Sequence, residues 1–293
     1  MPWLQLVIKS NTEQAETLSD LLSELGSSAV TLRDAADQPL YEPPIGETPL
    51  WNNTEVIGLF DTTINMQNIL QQIENQIGSS LNYSLNPLED KDWVREWMSH
   101  FKPTQFGQRL WVVPSHHADE HLAQQPDAIN ILLDPGLAFG TGTHPTTAMC
   151  LEYLEQHPTK QHVIDYGCGS GILAIAAAKL GATSIMAIDN DPQALLATKD
   201  NATKNHVIDS FKIQLPEPAP SKQADLLVAN ILAKPLIELA PHLASLVKNQ
   251  GCIALSGILN EQADSVLTAY SPMFDINIYK QQDDWVCLAG TKK

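Results

Sequence analysis

The residues with the clearest chemical meaning lie between Asp165 and Gly171, in the pattern Asp-x-Gly-x-Gly-x-Gly. An apolar stretch precedes the pattern and another follows it, which predicts a buried strand, a turn and a helix. Glycines in such a turn let the backbone bend sharply and approach a ligand without an intervening Cβ atom. The first N–H groups of the helix are also free to meet that ligand. The segment therefore predicts a ligand-binding turn.

A second acidic residue, Asp189, ends the apolar stretch that begins at Ser184, twenty-four residues after Asp165. A unit of that length places a carboxylate where it can accept hydrogen bonds from ribose hydroxyls. The fingerprint of nicotinamide dehydrogenases needs a small residue three places after its second glycine, and here Gly169 is followed at that place by Ile172. Glycine turns of this kind are often merely structural, but the two acids and the flanking βαβ pattern favour a nucleotide-type site.

Two further segments carry a family resemblance. One runs Asp134-Pro-Gly-Leu-Ala-Phe-Gly-Thr-Gly-Thr-His-Pro-Thr-Thr, and the other runs Val228-Ala-Asn-Ile-Leu-Ala. Together with the glycine turn and the opening Met1-Pro-Trp, they resemble the PrmA family of ribosomal protein methyltransferases, within the class I S-adenosylmethionine-dependent methyltransferases. The resemblance covers essentially the whole chain, and methyltransferases at large do not share the long threonine-rich loop.

The resemblance implies an α/β fold in which a small ferredoxin-like α+β domain precedes a class I, Rossmann-like, seven-stranded methyltransferase domain with one reversed strand. It implies S-adenosylmethionine as cofactor and methylation of the lysine ε-amines and the α-amine of a basic large-subunit ribosomal protein, which the N-terminal domain recognises. It also implies that Gly167 lies against the methionine part of the cofactor and that Asp189 accepts from the ribose hydroxyls. Thr146 and Asn230 are further cofactor contacts on this resemblance.

Several of these residues also have a structural interpretation. Asp189 could cap the next helix, although Asp191, directly before Pro192, suits that task better. The paired threonines could cap the helix that they open, and we interpret His144 as a hydrogen-bonding loop residue rather than a base. Asn230 could hold the substrate amine by accepting its hydrogens, or could only anchor the loop or the cofactor. Methyl transfer from a sulfonium depends mainly on positioning, so we expect no metal site.

Charge separates the possible partners. The chain has 293 residues and a formal net charge of −17, with 15 acids and 4 bases in residues 1–100 against 19 acids and 13 bases in residues 101–293. Such a surface repels phosphate backbones and attracts basic proteins, although acidity can also serve solubility alone. We therefore expect no direct nucleic acid binding. The alternatives are an RNA or small-molecule methyltransferase on the same fold, and a non-catalytic cofactor-binding module.

The sequence gives no sign of export or membrane insertion. No apolar run approaches the length of a membrane span, and the N-terminus lacks the pattern of a signal peptide. The cysteines have no zinc-ligand or paired spacing, so we expect them to be reduced and buried: Cys150, Cys168, Cys252 and Cys287. We expect a cytoplasmic protein and a monomer.

The patterns of strands and helices predict two domains. Residues 1–88 follow the order βαββαβ, which is that of a ferredoxin-like fold. Residues 89–127 form a connector that starts with a short helix carrying Trp93 and Trp97 on one face. Residues 128–293 alternate strands and helices as in a parallel doubly wound sheet and end in two strands that can pair antiparallel at one edge. The glycine turn and the predicted contacts at 189 and 230 all follow strands, where such sheets bind ligands.

Overall fold

The structure is a computed structural model that describes residues 3–36, 38, 40, 46, 48–88, 101–118, 128–134, 144–157, 161–217 and 222–293. The chain divides into two compact units, Met1–Glu96 and Trp97–Lys293. The predicted connector helix with Trp93 and Trp97 lies outside the described residues. The domain limits 1–88, 89–127 and 128–293 stay a prediction.

The first unit is a four-stranded sheet with two helices. Its elements are β1 (Trp3–Asn11), α1 (Thr12–Glu24), β2 (Ala29–Asp34), β3 (Asn53–Asp61), α2 (Met66–Ile77) and β4 (Tyr83–Leu88). The strands lie in the order β2-β3-β1-β4, and each neighbouring pair is antiparallel. Apolar residues of both helices pack on one face of the sheet, against Leu6, Ile8, Val56 and Phe60. The element order is the βαββαβ from which the sequence predicts a ferredoxin-like fold.

The second unit begins with a small sheet of three strands, β5 (Thr104–Phe106), β6 (Leu110–Val113) and β7 (Ile129–Leu132). β5 and β6 are antiparallel, whereas β6 and β7 are parallel. The sequence places both β5 and β6 in the connector, but β6 pairs with β7 and β5 pairs with β6. The buried amide of Asn205 fixes β7 to the rest of the unit, because its Oδ1 accepts from the N–H of Leu132 and its Nδ2 donates to the carbonyl of Leu132, both over 2.8 Å.

The larger sheet confirms the α/β fold class. Its strands are β8 (His162–Tyr166), β9 (Ser184–Ile188), β10 (Phe211–Gln214), β11 (Ala224–Asn230), β12 (Val247–Leu259), β13 (Phe274–Gln282) and β14 (Trp285–Lys292). They lie in the order β10-β9-β8-β11-β12-β14-β13. The first five are mutually parallel, and β14 runs antiparallel to both of its neighbours. The sheet therefore has the predicted seven strands and one reversed strand among the residues described.

Helices cover both faces of this sheet: α3 (Pro145–Gln156), α4 (Ile172–Lys179), α5 (Pro192–Lys204), α6 (Ala233–Leu246) and α7 (Ala263–Tyr270). Buried residues of α3 and α4 share a core with one face, and those of α6 and α7 share a core with the other. Such two-sided burial explains why all five residues of β8 are buried and why β11 is apolar from Leu226 to Ala229. Within the described ranges, no helix is long and apolar enough to cross a membrane. The cysteines are free, and Cys252 is half-buried rather than buried as expected.

Candidate active site

Three of the predicted site residues form a row across the middle of the larger sheet. Tyr166 of β8 pairs with Ile188 of β9, so the next residues, Gly167 and Asp189, are neighbours. Asp165 of β8 pairs with Val228 of β11, which brings Asn230, two residues further on, alongside Gly167. Adjacent strands are about 4.8 Å apart, so the row spans about 10 Å from Asp189 to Asn230. It lies at the carboxyl end of the strands, where parallel sheets bind ligands.

The glycine turn between β8 and α4 has the geometry that only glycine adopts readily. Gly167, Gly169 and Gly171 have φ values of +79°, +53° and +80°. A Cβ on Gly171 would come within 3.2 Å of the Cα of Thr198, so the third glycine is needed for close packing against α5. Thr198 also donates to the carbonyl of Gly169 over 2.9 Å. The turn is therefore held rigidly from α5, with Gly167 and Gly169 partly exposed.

The carboxylate of Asp189 is fixed by two backbone N–H groups. Its Oδ2 accepts from Gly169 over 2.9 Å, and its Oδ1 accepts from Asp191 over 3.0 Å. An ionised carboxylate has about four acceptor sites, so both oxygens can accept further hydrogens. The helix cap is a different acid, because Asp191 accepts from the N–H of Gln193 over 2.8 Å and Pro192 follows it at the first helical position. The prediction that Asp191 caps α5 is confirmed.

Asp165 is a buried carboxyl group beside the row, only 1% exposed. Its Oδ2 accepts from the N–H of Ala174 over 3.0 Å, and its Oδ1 has no hydrogen-bond partner in the described structure. Desolvation raises the pKa of Asp165 to about 7, opposed by the Ala174 hydrogen bond and reinforced by the charge of Asp189. A cation at this place would relieve that cost and draw the proton off.

The start of α3 approaches the Asn230 end of the row. His144 is its N-cap, and its Nδ1 accepts from the N–H of Thr146 over 3.4 Å and lies 2.8 Å from the Thr146 hydroxyl. Desolvation lowers the pKa of His144, which suits this acceptor role. The interpretation of His144 as a hydrogen-bonding residue is thus confirmed, and it caps the helix in place of the threonines. Thr147, not Thr146, reaches Asn230, whose Nδ2 donates to the Thr147 Oγ1 over 3.1 Å.

Sequence reasoning missed how Ile231 packs. A Cβ on Gly167 would meet the Cγ2 of Ile231 at 2.3 Å, and a Cβ on Gly257 would meet the Ile231 carbonyl oxygen at 2.4 Å. Gly257 also has a φ of +81°, in the region that favours glycine. Ile231 therefore fits between a glycine that follows β8 and a glycine within β12, and it fixes the backbone next to Asn230. No local motif marks Gly257, since its partner is distant in sequence.

A seven-stranded sheet with one reversed strand, a glycine turn after β8 and an acid after β9 defines the chain as a class I S-adenosylmethionine-dependent methyltransferase. Comparison with known proteins identifies the family. The family model "Ribosomal protein L11 methyltransferase (PrmA)" matches residues 2–293. The chain belongs to this family.

Named relatives agree with this assignment. Ribosomal protein L11 methyltransferases of Marinobacter nauticus and of Pseudomonas syringae pv. tomato are each 51% identical to this chain. Both alignments cover 100% of this chain, together with 99% of the Marinobacter protein and 100% of the Pseudomonas protein. The crystal structure of ribosomal protein L11 methylase from Lactobacillus delbrueckii subsp. bulgaricus is 34% identical and has a TM-score of 0.59, covering 66% of this chain and 100% of its own.

S-adenosylmethionine is the cofactor of this family, and the residues present fit it. Asp189 offers acceptor sites for the ribose hydroxyls, and the buried Oδ1 of Asp165 suits a cationic ligand. Gly167 is partly exposed at the carboxyl end of β8, so its backbone can be approached from that side, while Ile231 fills the space on its Cβ side. Within the described part of the chain, no group of three His, Cys, Asp or Glu side chains is placed to hold a metal ion.

Proposed function

We propose that this chain transfers methyl groups from S-adenosylmethionine to amine nitrogens of ribosomal protein L11, namely lysine ε-amines and the α-amine. The observation that carries the proposal is the row of Asp189, Gly167 and Asn230 at the carboxyl ends of three adjacent strands, in a chain that the family model matches from residue 2 to its end. The bound cofactor supplies an electrophilic methyl group. The protein positions the two reactants and favours the loss of a proton from the amine.

The row divides the work between its two ends. Asp189 accepts hydrogen bonds from the ribose hydroxyls, while Gly167 lets the backbone lie against the methionine part of the cofactor. Thr146, at the start of α3, is a further cofactor contact whose hydroxyl oxygen keeps acceptor sites beside His144. Asn230 contacts the cofactor and faces the incoming substrate.

The nucleophile is an amine, and its lone pair must be free. A lysine amine has an unperturbed pKa of about 10.4, so it must lose a proton before attack, and desolvation near a cation favours that loss. The side chain of Asn230 is partly buried and its Nδ2 already donates to Thr147, so its Oδ1 is the atom offered to the substrate. By accepting an N–H of the amine, Oδ1 holds the nitrogen and leaves its lone pair directed at the methyl group.

Residues 1–88 recognise the substrate in this proposal. The exposed face of α1 carries four acids at helical spacing and no base: Glu13, Glu16, Asp20 and Glu24. Residues 1–100 carry most of the excess negative charge of the chain. A basic ribosomal protein complements that surface, whereas a nucleic acid backbone is repelled by it. The reaction then belongs to the cytoplasm, where ribosomal proteins are made, and we propose that the enzyme acts as a monomer.

Transfer of labelled methyl groups tests the function. The intact chain is incubated with labelled S-adenosylmethionine and either purified ribosomal protein L11 or ribosomal RNA. We expect label in the protein alone. Prior acetylation of its lysines should remove all of the label except that on the α-amine. Label in the RNA, or undiminished label in the acetylated protein, would contradict the proposal.

A further inference from the structure

The side chain of Asn230 is held by a residue from a distant part of the chain. Its Nδ2 donates to the Oγ1 of Thr147 over 3.1 Å, and the two residues are 83 positions apart in sequence. Thr147 is only 3% exposed, so water cannot easily replace its hydroxyl. Nothing in the proposed chemistry requires Thr147 to touch either the cofactor or the amine.

Thr147 itself has little freedom, because the start of α3 is fixed from both sides. The carbonyl of His144 accepts from the N–H groups of Thr147 and Ala148, each over 3.0 Å. The ring of His144 stands edge-on to Trp285 of β14, with the ring centroids 5.0 Å apart and the planes at 71°. The Thr147 hydroxyl is therefore an acceptor at a fixed place beside Asn230.

The orientation of the Asn230 amide decides what the substrate meets. An asparagine amide is nearly symmetric in shape, but one end accepts hydrogen bonds and the other donates them. If the amide were turned by 180°, its NH₂ would donate to the amine lone pair and occupy the electrons that must attack the methyl group. With Nδ2 bonded to Thr147, the acceptor end faces away from Thr147.

We propose that Thr147 is a positioning residue for methyl transfer, whose hydroxyl holds the Asn230 side chain in the place seen in the structure, with its acceptor end free to meet the amine. This inference rests on the proposed role of Asn230 in holding the amine. It assigns Thr147 a larger effect on the rate of transfer than on the affinity for S-adenosylmethionine, because Asn230 is only one of several proposed cofactor contacts. It also predicts that the effect disappears when the side chain of Asn230 is absent.

Thr147→Val removes the hydroxyl and keeps the shape of the side chain. A neutral hydrogen bond is worth about 1 kcal/mol, so we expect the single-turnover rate with saturating cofactor and ribosomal protein to fall about five- to tenfold. We expect Thr147→Ser to keep a rate close to wild type because it retains the oxygen. Thr268→Val is the matched control, since Thr268 is an exposed helix residue whose hydroxyl bonds only within its own helix, to the Asp264 carbonyl.

A second background separates positioning from mere stability. Asn230→Ala removes the side chain that Thr147 holds, so adding Thr147→Val to that variant should cost less than twofold. A purely structural role for Thr147 predicts the same five- to tenfold loss in both backgrounds, and that result would overturn the inference. Cofactor affinity, measured by calorimetric titration, should fall less than twofold in Thr147→Val. If Thr147→Val does not fold, a Thr147→Ser rate more than fivefold below wild type in a folded protein would also overturn the inference.

The two proposals fail in different ways. Full activity of Asn230→Ala would remove the role of Asn230 and with it the reason for Thr147. The other outcome is that Asn230→Ala is slow while Thr147→Val is as fast as the control Thr268→Val. That result would leave the role of Asn230 in place and overturn only the inference about Thr147.

Discussion

Replacing Gly257 by alanine should slow methyl transfer although Gly257 touches neither substrate nor cofactor in our account. A Cβ at this position would stand 2.4 Å from the carbonyl oxygen of Ile231, 2.8 Å from its carbonyl carbon and 3.1 Å from its nitrogen. These atoms are backbone and cannot rotate away, so the segment after β11 must move. Restoring an ordinary contact of about 3.4 Å or more requires a shift of about 1 Å.

A shift of that size is large for a positioned reaction. Ile231 follows Asn230 directly, so the amide that holds the amine is displaced with it. Misplacement by about 1 Å can cost about 100-fold in rate, and we expect kcat of Gly257→Ala to fall roughly 10- to 100-fold. Affinity for S-adenosylmethionine should fall by less than kcat does, because Asp189 and the glycine turn belong to other strands and keep their own cofactor contacts. Rates come from single-turnover methylation of the ribosomal protein, and affinities from calorimetric titration.

The control is Gly181→Ala. Gly181 also has a positive φ, +105°, but a Cβ there would meet no atom within 4 Å. Both variants carry the cost of a left-handed alanine, about 1–2 kcal/mol, and only Gly257→Ala adds the collision with Ile231. If the two variants methylate at the same rate, the packing of Ile231 on Gly257 does not position Asn230, and the reasoning is wrong.

Three further predictions concern the rest of the site and the first unit. Asp189→Ala should weaken S-adenosylmethionine binding by about 1.5–3 kcal/mol, roughly 10- to 100-fold in Kd, because the ribose loses a charged acceptor. Asp200→Ala, which changes an exposed acid, is the control. If calorimetry gives both variants the same affinity, Asp189 has only a structural role. Burial raises the pKa of Asp165 from 3.8 to about 7, so between about pH 4 and pH 7 the folded chain keeps a proton that the unfolded chain has lost. The contribution of this group to stability is therefore full below about pH 4 and declines as the pH rises to about 7. The free energy of unfolding of Asp165→Asn relative to wild type should therefore rise by about 1.4 kcal/mol per pH unit across that window, and a pH-independent difference would contradict the buried proton. Deleting residues 1–88 should leave S-adenosylmethionine binding intact and abolish methylation of the ribosomal protein, and full activity after deletion would show that the second unit alone selects the substrate. Association of the intact enzyme with the ribosomal protein should also slow as salt is added.

The local part of the site could be predicted from the sequence because its signals are local. The run from Asp165 to Gly171 encodes strand, turn and helix within a few residues, and Asp191 before Pro192 encodes a cap. The order of the patterns also predicted the antiparallel pairing of the last two strands. These features depend on neighbours along the chain, which one sequence displays.

The contacts that complete the site could not be predicted, since they join residues far apart. Thr147 and Asn230 are 83 positions apart, and Gly257 meets Ile231 only because β11 and β12 are adjacent in the sheet. The pair of threonines was a visible signal, but it did not say which of them reaches Asn230. The clamp of Asn205 on β7 was likewise invisible, because an asparagine near the end of a helix is more simply interpreted as a cap.

Mass spectrometry of the product tests the central claim most directly, since it locates each methyl group on the substrate. Ribosomal protein L11 is incubated with S-adenosylmethionine and either the wild-type chain or Asn230→Ala, then digested and sequenced by fragmentation. The account predicts methyl groups on lysine ε-amines and on the α-amine with wild type, and far fewer on the same amines with Asn230→Ala. Methyl groups on carboxylates, amides or histidine rings, or equal methylation by both enzymes, would contradict it.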